Sequence, residues 1–81
     1  MSEEDKEGPK KFTIFINDVQ FQLHQPTVTG AELKHLGDIL PGNRLFLEEP
    51  GPRPDQPIGD AEVVHLKSGM KFYDLPPGVV G

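Results

Sequence analysis

The chain has no cysteine among its 81 residues. That excludes a disulfide staple, a thiolate nucleophile and a cysteine-ligated zinc site. The hydrophobic core must carry the fold alone, and a cysteine-free small domain fits the cytoplasm. Basic residues are also few. Eight Lys and Arg stand against 13 Asp and Glu, for a net charge of −5. Phosphate binding needs basic patches that release counterions, so no nucleic-acid partner is expected. No apolar run approaches the roughly 18 residues of a membrane span. The first residues lack the apolar stretch of a signal peptide.

Within those bounds the chain reads as one small domain. A domain of this size buries only about 60% of the surface its unfolded form exposes, so its stability is on the order of 5 kcal/mol. Residues 1–11 are Ser, Glu, Asp, Lys and Gly with one proline, the composition of a disordered leader. Order is expected over residues 12–75, followed by an arm at 76–81.

Phe12, Ile14 and Ile16 alternate with Thr13, Phe15 and Asn17. After Asn17-Asp18, Val19, Phe21 and Leu23 alternate with Gln20, Gln22 and His24. Period-two alternation on both sides of a turn dipeptide predicts a hairpin. Ile14, Ile16, Val19, Phe21 and Leu23 are expected to face the core, and Phe15 the wet side.

A helix is expected to open at Thr29. Thr29 caps, Glu32 three residues on completes a capping box, and Val28 with Leu33 forms a hydrophobic staple. Leu33, Leu36 and Leu40 recur at helical spacing, and Gly37 is expected to end the helix in a left-handed conformation. Arg44 to Glu48 reads as a strand with Leu45 and Leu47 inward and Phe46 outward. Residues 50–57 hold four prolines and read as a stiff surface loop. Asp60 is placed to cap a short turn carrying Val63, Val64 and Leu66. Met70 to Leu75 is expected to be the last strand, with Phe72 inward and Tyr73 outward. A hairpin, one crossing helix and later strands make an α+β, β-grasp outline with a mixed sheet.

The last six residues carry no charged side chain. Pro76 and Pro77 favour an extended path, and Gly78 and Gly81 add no bulk. A thin arm ending in an unhindered carboxylate fits a narrow enzyme channel; the competing reading of the same composition is a frayed terminus.

The Val28-Thr29-Gly30-Ala31-Glu32 helix start and the Gly69-Met70-Lys71-Phe72-Tyr73 close resemble the bacterial multiubiquitin-type ubiquitin-like domains. The resemblance covers about three quarters of the chain. It implies a non-enzymatic protein modifier whose Gly81 is activated and joined to a target amine. Its implied partners are an activating enzyme, a conjugating enzyme, a JAB-type deconjugating metalloprotease and the protein targets. Pro76, Pro77, Gly78, Val79 and Val80 would be the tail that those enzymes read. Ubiquitin ends in two glycines, whereas Val80 precedes Gly81 here. Two other readings share the fold: a sulfur carrier whose terminus becomes a thiocarboxylate, and an adaptor that is never conjugated.

Phe15, Phe46 and Tyr73 all fall on outward strand positions. In ubiquitin the sheet face away from the helix carries the main docking patch, so these three are expected to form a partner-binding patch. The competing reading packs the rings under the proline-rich loop. His24, His35 and His65 are scattered without ligand spacing, so no metal site and no cofactor is expected.

Overall fold

The computed structural model describes residues 10–78. Seven strands and one helix follow in order: β1 (Phe12–Ile16), β2 (Val19–Leu23), β3 (Thr27–Thr29), α1 (Gly30–Leu36), β4 (Arg44–Leu47), β5 (Gln56–Ile58), β6 (Val63–His65) and β7 (Lys71–Leu75).

The β1–β2 hairpin closes as expected, because Asn17 and Asp18 both take positive φ, 51° and 69°. That is the turn whose twist matches paired strands. The register runs from Phe12 opposite Leu23 to Ile16 opposite Val19. The capping box at Thr29 also forms. The Glu32 amide donates to the Thr29 hydroxyl at 3.2 Å, and the Thr29 amide donates to the Glu32 carboxylate at 2.8 Å.

A five-stranded sheet has the order β2-β1-β7-β4-β5. β1 and β7 pair in parallel at its centre, and the other pairings are antiparallel. This mixed sheet with one crossing helix is the β-grasp, an α+β fold. Ile14, Ile16, Leu45 and Phe72 from the sheet pack with Leu33 of the helix, all at 2% exposure or less. Burying such side chains is worth roughly 1.5–3 kcal/mol each, which is what a helix this short needs to persist.

Several sequence expectations are corrected. Val19 is 56% exposed, at the turn end of β2, an edge strand. Gly37 is not left-handed: its φ is −87°, and Asp38 takes the positive φ of 57° instead. Gly37 is small for another reason. A β-carbon there would lie 2.6 Å from Cγ2 of Ile16, so the helix end sits directly on β1. Leu40 lies beyond the helix and is exposed, while Ile39 packs against the core. Pro57 belongs to a strand after all, in β5 at the sheet edge. An edge strand tolerates proline because one side of it makes no ladder bond. Residues 63–65 form a strand rather than a capped turn, and they pair with β3 in a separate two-stranded ribbon.

Candidate functional site

The sheet face away from the helix is built by the odd phase of β7 and the even phase of β4. Phe46 and Tyr73 are direct cross-strand partners. Their rings stack with centroids 5.4 Å apart and planes 13° from parallel. The Arg44 guanidinium, two residues along β4, lies 5.2 Å from the Phe46 ring centroid. Pro57 flanks Phe46 from β5. Phe15 is on the neighbouring strand β1, opposite Lys71 and half-buried. Thus Phe46 and Tyr73 meet, and Phe15 shares their face.

One feature of the expected patch is corrected. Phe46 does point away from the core, yet it is only 7% exposed. A stacked tyrosine and an arginine cover it. A partner touching this face meets Tyr73 and Arg44 before it meets Phe46.

The proline-rich segment is fastened to the same face. The Tyr73 hydroxyl donates to Oδ2 of Asp55 at 2.5 Å, and the Glu49 amide donates to Oδ1 at 2.8 Å. Gln56 donates to the Glu49 carboxylate at 2.6 Å, and Arg53 approaches it at 3.6 Å. The hydrogen bond to Asp55 is the main reason the Tyr73 phenol is pushed up to about 12, with burial and the charges of Asp55 and Glu48 adding to it. In return, the phenol and then the Glu49 amide hold the Asp55 carboxyl below its ordinary range, against a smaller effect of burial.

A second carboxylate braces the base of the arm. Asp74 accepts from Asn43 at 2.7 Å and from Asn17 at 2.8 Å. It therefore ties the β1–β2 turn and the entry to β4 to the last residues of β7. The Asn43 bond is the largest cause of a lowered Asp74 pKa; burial opposes it, and Asn17 and the Lys34 charge support it. Nothing in the sequence pointed to Asp55 or Asp74. Each acts through partners distant in the chain, and neither sits in a local motif.

The last rung of the sheet pairs Leu75 with Arg44. Pro76, Pro77 and Gly78 follow, all exposed, and Gly78 has φ of 88°. Val79, Val80 and Gly81, and with them the expected conjugation residue, lie outside the described residues, as does the leader through residue 9. His24, His35 and His65 are all exposed. Among the described residues no group of three His, Asp or Glu side chains is placed to hold a metal ion, and no helix is long and apolar enough to cross a membrane.

Comparison with known proteins gives a family. Residues 12–73 match the multiubiquitin family. Among curated proteins, catalase-peroxidase 2 of Cellvibrio japonicus (strain Ueda107) is 33% identical over 66 residues, which cover 80% of this chain. The chain spans only 9% of the length of that relative, so the peroxidase name describes that protein and is not carried over. No solved structure matches the chain.

Proposed function

The chain belongs to the multiubiquitin family, a ubiquitin-like β-grasp family, and on that premise we propose that it is a protein modifier joined to target amines through the carboxylate of Gly81. The observation that carries the proposal is how the chain leaves the domain. The central strand β7 delivers it to the sheet end, Asp74 braces that end, and Pro76, Pro77 and Gly78 run on exposed. The two prolines have no amide to donate, so they cannot extend the ladder.

The proposed chemistry is that of Gly81 as the carboxylate that is joined. A carboxylate is a poor electrophile. ATP converts it to an acyl-adenylate, a cysteine of an activating enzyme takes it as a thioester, and a conjugating enzyme presents it to an amine. The amine attacks the carbonyl carbon, the thiolate leaves, and an amide remains. The chain supplies the acyl donor and a surface, and the enzymes supply the catalytic groups. A JAB-type metalloprotease would reverse the bond. Tyr73 and Arg44, beside the arm's exit, are the side chains an enzyme meets first, with Phe46 beneath them and Phe15 on the neighbouring strand. The acidic balance suits partners that are proteins.

The test is the intact mass of the protein after incubation with an activating enzyme, a conjugating enzyme, ATP and a candidate acceptor. An amide adduct is expected. A gain of sulfur would identify a sulfur carrier, and an unchanged mass would identify an adaptor; either result overturns the proposal.

A further inference from the structure

We propose that the free edge of β2, with the groove beside it, binds an extended segment of a partner protein, neutral or basic, which joins the five-stranded sheet as a further strand. Binding there does not depend on conjugation at Gly81. What points to it is which backbone groups the sheet leaves unpaired.

The amides of Phe15 and Asn17 donate to Met70 and Phe72 at 2.9 Å each, and the Thr13 carbonyl accepts the Gly69 amide at 2.7 Å. These residues of β1 thus turn their backbone groups toward β7. Backbone direction alternates along a strand, so Phe12, Ile14 and Ile16 turn theirs toward β2. There they meet Leu23, Phe21 and Val19. Between these on β2 lie Gln20 and Gln22, whose amides and carbonyls therefore point away from the sheet. β2 is the outermost strand and both glutamines are exposed. No backbone bond from a described turn or loop reaches them.

The two edges of the sheet differ. β5 is three residues long and holds Pro57, which blocks pairing. β2 runs Val19-Gln20-Phe21-Gln22-Leu23 with an unbroken register. It lacks the charge, proline or bulge that usually guards an edge.

The helix side of this edge has room for side chains. A groove of about 360 Å³ lies between the end of β2 and α1, lined mainly by Leu23, Val28, Ala31, Glu32, Leu33 and Leu36. An added strand places alternate side chains on the helix side, next to Phe21 and Leu23, and the others beside Gln20 and Gln22. The segment that fits has apolar residues at every second position and polar ones between. Main-chain pairing holds it, and the groove selects it. Charge disfavours a second copy as the occupant. Glu32 lines the groove, Asp18 stands exposed in the turn before β2, and each copy carries a net −5. Like charge is repelled there, and a neutral or basic segment is not. Phe46 and Tyr73 lie on the other face, with β1 between their strands and β2, so such a ligand leaves them open.

The test titrates the isotope-labelled full chain with an acetylated nonapeptide of alternating valine and threonine, with a lysine at each end, followed by NMR. The Gln20 and Gln22 amides should exchange their hydrogens more slowly once the peptide is bound. Those of Phe21 and Leu23, already bonded to β1, should change little. Methylating one peptide amide that faces β2 should weaken binding about ten-fold, the loss expected for a single hydrogen bond. Ala31→Gln, which fills the groove from an exposed helix position, and Gln22→Pro, which removes an outward amide, should each weaken it similarly. Circular dichroism checks that both variants fold. Glutamate in place of the two peptide lysines should also weaken binding. No change at Gln20 and Gln22, or changes centred on Phe46 and Tyr73, overturns the proposal. So does sedimentation showing that the chain alone pairs through this edge, with Gln20 and Gln22 protected before peptide is added. None of these measurements uses ATP or an enzyme, so a failed conjugation leaves their result standing.

Discussion

Gly30→Ala sets two effects of opposite sign against each other. Gly30 is the first residue of α1, and helix propensity alone favours alanine there by up to about 1 kcal/mol. Packing opposes it. A β-carbon on Gly30 would sit 2.1 Å from the Gly59 carbonyl oxygen, 2.9 Å from its carbon and 3.2 Å from Cγ2 of Ile58. Two of these are backbone atoms of a turn that is itself closed by the Glu62 amide on the Gly59 carbonyl. They cannot rotate away as a side chain would. The helix start must instead lift off the turn. Lifting stretches the two bonds that join them, Gly30 amide to Glu62 carbonyl at 3.1 Å and Ala31 amide to Asp60 carbonyl at 2.9 Å. Each is worth about 1 kcal/mol net, and more if its donor is left buried and unpaired. Overpacking typically costs about 1–3 kcal/mol. After the propensity gain is subtracted, a loss of about 2 kcal/mol is expected, which lowers Tm by roughly 10 °C in a domain of this size. Urea denaturation followed by circular dichroism measures it. Gly42→Ala is the control, since nothing lies within 4 Å of a β-carbon there, and it should be nearly neutral. If Gly30→Ala equals or exceeds the parent in stability, the helix does not start against the Gly59 turn.

Thr29→Ala should cost about 1 kcal/mol, read by the same denaturation, because it removes one half of the capping box. Phe46→Ala should destabilise by about 3 kcal/mol, the low end for a buried phenylalanine, since its pocket opens to solvent once the ring is gone. Phe46→Leu should keep most of that stability, and equal losses for the two would mean that the Tyr73 stack matters more than the buried area. Tyr73 is the chain's one tyrosine, so absorbance of the tyrosinate reads it alone. Its titration should fall at about 12 in the folded protein, and Asp55→Asn should move it down toward the ordinary 10.0. The stability from this raised pKa is fully present below pH 10 and is lost as the pH climbs through 12; an unshifted titration in the folded protein would rule out the bond to Asp55.

What the sequence made legible was local. Asn17-Asp18 and the Thr29–Glu32 box satisfy their own geometry within a few residues, so composition and spacing find them. The outward phase of Phe46 and Tyr73 also follows from alternation on single strands. Their burial does not, because it depends on which strands become neighbours and on the loop that Asp55 fastens. Pro57 reads as a loop residue by a rule that holds for central strands and fails at an edge. The β3–β6 ribbon was missed because each strand is only three residues long, too short to show a period. Gly37 owes its place to the close approach of Ile16, a contact between residues far apart in the chain that no local pattern shows. Leu75 is the last paired residue, and Pro76 and Pro77, which follow it, have no amide to donate to the ladder.

Deletion of Gly81 tests the modifier proposal most directly. Without it Val80 would be the terminus, and a β-branched side chain would crowd the carbon that must accept first phosphate and then a cysteine. The assay is an ATP-dependent thioester with the activating enzyme, seen on a non-reducing gel, with circular dichroism to confirm that the fold is unchanged. The full chain is expected to form the thioester and the deletion variant to form none. A variant that charges at the parent rate would contradict conjugation through Gly81.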